Sequence, residues 1–189
     1  VYVASGGFSK SDPFTSDLNM RVAIARKGFV VATICHRIGI ADGKWPAPLE
    51  DLKQGIRWLR AHADDLKIQK DHIGAFGASA GGYFATMLGV TGGIESYETG
   101  EYLNESSSVQ AVVDLYGPSD LTIIGSGLDD AFPDERNAEG KGYESNHFSP
   151  ATPEALMVNG SAMALNPGGS VQDTPETAAA ASPFTYIGR

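Results

Sequence analysis

The stretch from Asp71 to Gly82, Asp-His-Ile-Gly-Ala-Phe-Gly-Ala-Ser-Ala-Gly-Gly, constrains the fold more than any other part of the chain. It reads as a short buried strand, a sharp turn, and the first residues of a helix. At its apex lies Gly77-Ala78-Ser79-Ala80-Gly81. A turn this tight brings the positions two before and two after the serine against neighbouring backbone, so both must be glycine. The serine itself is held in a strained conformation with its hydroxyl exposed. The helix that follows points its N-terminal amides at that oxygen, where negative charge is favoured.

Strand and helix signals alternate around this unit. Apolar, β-rich runs occur at Val1–Ala4, Phe29–Cys35, His72–Phe76 and Val109–Tyr116. The Phe29–Cys35 run is almost continuously apolar, which predicts a parallel strand covered on both faces. Between the runs, Asp17–Lys27 carries Leu18, Val22 and Ala25 on one face, with Ser16 or Asp17 placed to cap it and Gly28 to end it. Pro46–Leu66 places Leu49, Leu52, Ile56, Leu59, Ala63 and Leu66 at alternating three- and four-residue steps, a strong amphipathic helix. Ala80–Val90 is small and apolar, suited to lying close on a sheet. The alternation predicts an α/β fold in three layers with a mostly parallel sheet.

Residues 117–175 change character, with many Gly, Pro, Ser, Asp and Asn residues and short helical pieces near Pro153–Met157. They read as an excursion over the sheet that shapes a pocket, or as a surface loop. Pro175–Ala181 predicts one more short helix. At 189 residues without repeats or a long linker, the chain reads as a single domain, residues 1–189.

Composition excludes several classes. An apolar content of 42% is that of a globular chain rather than a disordered one. No apolar run is long enough to span a membrane. A net charge of −9 argues against nucleic acid and anionic membrane surfaces as partners. The single cysteine, Cys35, excludes an internal disulfide and a cysteine-based zinc site, and its apolar setting predicts an inert buried thiol. No cluster has metal-ligand spacing, and the turn is not the dinucleotide pattern Gly-x-Gly-x-x-Gly, so no cofactor or metal is expected. The first residue is Val1, already in a strand signal, and the compartment is left open.

The chemistry that suits such a turn is nucleophilic attack by Ser79. The tetrahedral oxyanion then needs donors. One is the backbone N–H of Ala80. Others come from Ser5-Gly6-Gly7-Phe8, just after the first strand, where Gly6 and Gly7 let backbone amides turn toward a pocket. A plain turn would carry the same glycines; the serine turn beside them favours the donor role.

On these residues the chain resembles the α/β-hydrolase fold, and within it the esterase and lipase group that includes hormone-sensitive-lipase-like enzymes and bacterial acetylxylan and feruloyl esterases. The opening Val1-Tyr-Val-Ala-Ser-Gly-Gly-Phe8 resembles that group's strand and His-Gly-Gly-Gly loop. Ile34-Cys-His-Arg37 resembles a strand ending in Tyr-Arg. Trp45-Pro-Ala-Pro-Leu-Glu-Asp51 with Ile56–Leu59 resembles the group's Phe-Pro-x-x-x-x-Asp helix. Asp114-Leu-Tyr-Gly-Pro-Ser-Asp120 and Ala181-Ser-Pro-Phe-Thr-Tyr186 resemble later landmarks in the same order. Ala4 stands where the loop histidine is usual, Ser5 where the first glycine is, and His36 where a tyrosine is.

The resemblance implies a serine carboxylic-ester hydrolase for short acyl esters, acetyl or feruloyl groups on carbohydrate among them. It also implies strands before Val1, and an acid and a histidine placed after the Ser-Pro-x-x-Tyr landmark, beyond Arg189, so the fold reads as incomplete at both ends. Within the chain only His147 follows Ser79, in a polar loop that suits a surface histidine. Asp120 reads as a turn or cap residue, and Asp51 as a partner for Arg37. His62 falls on a helix and His72 at the start of a strand. A non-catalytic hydrolase-like binding module, an enzyme completed by a second chain that supplies the missing strands, and a serine peptidase of the same fold stay open beside the esterase.

Overall fold

The computed structural model describes residues 1–39, 43–124, 152–160 and 169–188. Four parallel strands form its sheet: β1 (Tyr2–Val3), β2 (Thr33–Ile34), β3 (Gly74–Ala78) and β4 (Ala111–Leu115), in the order β2-β1-β3-β4. The register pairs Val3 with both Ile34 and Gly77, and Gly77 in turn with Asp114. All four strands therefore end along one edge of the sheet, and the loops that leave them meet there.

Helices cover both faces, as an α/β crossover fold requires. Helix α1 (Leu18–Ala25) lies on the face carrying Tyr2 and Phe76, whose rings pack 5.4 Å apart. Helices α2 (Ala47–Ala61) and α4 (Ala80–Val90) cover the other face, with the one-turn helix α3 (Ala63–Leu66) between them in sequence. Leu49, Leu52 and Ile56 of α2 and Tyr83, Phe84, Met87 and Leu88 of α4 form the centre of the core with Val3 and Phe8. Two further short helices, α5 (Pro153–Asn159) and α6 (Pro175–Ala180), pack into the same core through Met157, Val158 and Ala178.

Several expectations are corrected. The Phe29–Cys35 run contributes only two residues of strand, β2, which among the described residues pairs with β1 alone; Phe29 and Val30 lie before it, outside the ladder, and are exposed. Alternation along the run turns His36 inward, so Cys35 points outward and is exposed rather than buried. Helix α1 buries none of its residues, and its Leu18 and Val22 face outward. Asp17 does occupy its N-cap position, but its side chain makes no cap bond. The long amphipathic helix breaks at His62, and Leu66 is exposed. The pieces at Pro153 and Pro175 form as expected; His147 and most of the remaining 117–175 segment lie outside the described residues.

Candidate active site

Ser79 stands alone between the end of β3 and the start of α4, with φ 52° and ψ −126°. For a residue with a Cβ this is a strained backbone. Two main-chain bonds hold it. The Ser79 N–H donates to Leu115 O at 2.8 Å, and Ser79 O accepts from the Tyr83 N–H at 3.0 Å. The first ties the turn to β4, the second starts the helix.

The flanking glycines are required by contact. A Cβ on Gly81 would lie 2.2 Å from Val3 O, and one on Gly77 would lie 2.5 Å from the Gly81 carbonyl carbon. The first turn of α4 therefore sits directly on the end of β1, which brings the loop after β1 beside Ser79. Gly82 completes the fit, since a Cβ there would meet the Asp114 carboxylate at 2.1 Å. That carboxylate accepts from the Gly117 N–H at 2.8 Å and the Thr86 hydroxyl at 2.9 Å. Asp114 thus locks the end of β4 to α4, a positioning role the sequence reading missed. An acidic residue inside an apolar strand, just before Gly117-Pro118, was the available signal.

The proposed oxyanion donors lie on either side of this contact. Ala80 is the first residue of α4, so its N–H has no helical acceptor. In the loop after β1, Gly7 has φ 55°, open to glycine at no cost. Phe8 also has positive φ, 57°, yet its ring is buried edge-on against Tyr83 and Phe84 of α4. Gly6 O accepts from the N–H groups of Ser9 and Lys10, and Phe8 O accepts from the Gly39 N–H. The loop is therefore anchored by a buried aromatic while Gly6 and Gly7 remain half-buried.

The other candidates lie elsewhere. His36 is buried, its ring 4.8 Å from that of Phe84, with Nδ1 2.7 Å from Arg37 O. His62 stacks on Trp58 at the end of α2 and hydrogen-bonds Trp58 O. His72 is exposed ahead of β3. Among the described residues no side chain hydrogen-bonds the Ser79 hydroxyl. Asp120 accepts from the Thr122 N–H and hydroxyl, the turn role expected of it. Asp51 holds Arg37 in a two-pronged pair, with Nη2–Oδ1 at 2.8 Å and Nε–Oδ2 at 3.0 Å. No cluster of His, Cys, Asp and Glu suited to a metal occurs among the described residues, and no described helix is long and apolar enough to cross a membrane.

Comparison with known proteins agrees with this geometry. A family model described as BD-FAE matches residues 1–189. Over 120 residues the chain is 32% identical to "Esterase LipC" of Mycobacterium tuberculosis, an alignment covering 64% of this chain and 30% of LipC. Among solved structures it is similar to a "Truncated form of carbohydrate esterase from gut microbiota", with TM-score 0.74, 23% identity, and coverage of 99% of this chain and 62% of that one. It is also similar to a "Bifunctional GH43-CE" of Bacteroides eggerthii, with TM-score 0.75, 26% identity, and coverage of 97% and 22%. The chain thus spans less than two thirds of each of these proteins.

Proposed function

Because the chain belongs to the BD-FAE family, we propose that it carries the nucleophile and oxyanion hole of a serine carboxylic-ester hydrolase. The observation that carries this reading is Ser79 at φ 52°, ψ −126°, between a strand and a helix N-terminus. Such strain persists where the surrounding structure imposes it, and it concentrates at sites of chemistry. The kinship with LipC supports ester hydrolysis.

In this mechanism Ser79 Oγ attacks the acyl carbonyl carbon while a histidine takes the hydroxyl proton. The carbonyl oxygen gains the charge, which the N–H groups of Ala80, Gly6 and Gly7 and the amino end of α4 stabilise. Collapse breaks the ester C–O bond, and the alcohol leaves with the proton. Water then hydrolyses the acyl-enzyme by the same steps. His36 and His62 are held by other partners, His72 is exposed ahead of β3, and no described side chain bonds the Ser79 hydroxyl, so in this reading the base and its acid come from outside the described residues. His147, further polypeptide, or a second chain laid along β4 are the sources.

Short acyl esters of carbohydrate, acetyl or feruloyl, are the substrate class this reading favours. The carbohydrate-esterase likenesses support it by fold. Helix α5 supports a pocket role for the 117–175 excursion within one domain. Its Pro153 lies 3.9 Å from where a Gly7 Cβ would stand, and its Met157 O accepts from the Trp45 N–H at 2.7 Å.

The test is intact-mass labelling with a fluorophosphonate, with Ser79→Ala as control. One adduct, lost in the control, is the expected result and establishes an activated serine. No adduct on folded protein would leave a hydrolase-like binding module as the better description of this chain.

A further inference from the structure

The loop that carries Gly6 and Gly7 lacks the histidine usual in the group it resembles, and something else must hold its entrance. On the α1 face of the sheet, Asp17 turns its carboxylate back toward β1 instead of capping its own helix. Asp17 Oδ2 accepts from the Tyr2 hydroxyl at 2.7 Å and from the Ser5 hydroxyl at 3.3 Å. Tyr2 is the first residue of β1, and Ser5 is the residue immediately before Gly6. One carboxylate oxygen therefore joins the strand, the loop entrance and the start of α1.

The far end of the loop is tied to the same helix. Arg21 stands one turn along α1, with its guanidinium 4.9 Å from the centre of the Tyr2 ring. It donates from Nη1 to Pro13 O at 2.6 Å and from Nη2 to Phe14 O at 2.9 Å, and Nη1 reaches Thr33 Oγ1 of β2 at 3.3 Å. Burial, and after it the bond to Asp17, push the Tyr2 phenol up to about 12, which keeps it the protonated donor near neutral pH. Charge-assisted bonds of this kind are stronger than neutral ones and fix geometry well.

We propose that Asp17 is a positioning residue for the oxyanion loop: by gripping Tyr2 and Ser5 together it sets where the Gly6 and Gly7 amides stand relative to Ser79. Asp17 touches neither substrate nor Ser79. It acts through Ser5 on the next two residues of the chain. The inference rests on the esterase reading above for its catalytic consequence, but not for its structural one.

Two measurements on Asp17→Ala and Tyr2→Phe keep the two apart. The first is hydrogen exchange of the amides at residues 5–9. Loss of the grip is expected to speed it about tenfold or more through local opening. The second is the rate of Ser79 acylation by a p-nitrophenyl ester on protein that labels with fluorophosphonate. A displaced loop is expected to lower the maximal rate on the order of 10- to 100-fold with KM unchanged. Asp17→Asn, which keeps an acceptor oxygen, should recover part of both effects. Tyr2→Phe keeps the ring against Phe76 and decides the question if Asp17→Ala does not fold. Unchanged exchange at residues 5–9, or an acylation rate equal to that of the parent, overturns the proposal. If the parent protein takes no label, the esterase reading fails instead, and the exchange result alone decides the clamp.

Discussion

His36 shows how one buried side chain can set a pH dependence. Its Nδ1 lies 2.7 Å from Arg37 O, so Nδ1 carries the proton and donates; its Nε2 is buried and has no partner among the described residues. Burial holds the imidazole below its ordinary value of 6.5, against the opposing pull of the Arg37 carbonyl and the Asp51 charge. The unfolded chain takes up a proton near 6.5 that the folded chain refuses. Stability is therefore complete above that pH and declines as pH falls through the lower folded value. Denaturant unfolding at pH 7.5, 6.5 and 5.5 should show this decline, and His36→Phe should flatten it. Parallel declines in the two proteins would mean that another group is responsible.

At the scale of elements, α2 does more than fill the core. Its Lys53 and Arg57 are almost wholly buried and reach the segment 91–107, which follows α4. Lys53 Nζ donates to Thr91 O and to Glu98 Oε1, both at 2.7 Å, and to the Ser107 hydroxyl at 3.0 Å. Arg57 pairs with the second Glu98 oxygen and donates to Glu101 O at 3.0 Å. Burial alone would raise the Glu98 carboxyl, yet the bonds from Lys53 and Ser107 and the two cations hold it below its ordinary value. Removing this one anion strands two buried cations. Glu98→Ala should cost about 3 kcal/mol, read as a lower midpoint in urea, and Glu98→Gln clearly less. A loss within experimental error for Glu98→Ala would show that the segment is held by its main-chain bonds alone.

The same elements show what could be read beforehand. The β3–Ser79–α4 unit was legible because its constraint is local: a Cβ at 77 or 81 collides with backbone a few residues away or on the next strand. The apolar face of α2 was legible from its period, Leu49, Leu52, Ile56 and Leu59. The partners of Lys53 and Arg57 were not, because Glu98 is 45 residues from Lys53 and an amphipathic pattern gives its charges no address. The sequence offers Asp17, beside Ser16, only as one of two candidate helix caps, because the bonds that recruit it, to Tyr2 and Ser5, exist only once β1 and α1 lie side by side. Phe29 and Val30 misled for a related reason. Apolar residues can enter a strand, but only the position of that strand in the sheet decides whether they are covered.

For the whole molecule, the most consequential surface is β4. Among the described residues it pairs with β3 on one side only. Val113, opposite Phe76 in the register, is 54% exposed, and Leu115 and Tyr116 are exposed with it. On the other face of β4, a recess of about 300 Å³ lies beside Thr86, Gly89, Val90 and Val112, at the opposite end of the strand from Ser79. An apolar strand with a free edge invites pairing with another chain. Val113→Lys should reduce self-association, measured by sedimentation velocity across a concentration series, and change stability by no more than about 0.5 kcal/mol. Unaltered association would place the contact elsewhere. The backbone at Ser79 has a consequence of a different kind. Glycine would adopt its φ and ψ freely, whereas serine there holds a strain of about 1–3 kcal/mol. Ser79→Gly should therefore shed that strain and raise the midpoint of urea unfolding, and an unchanged or lower midpoint would show that the turn holds none.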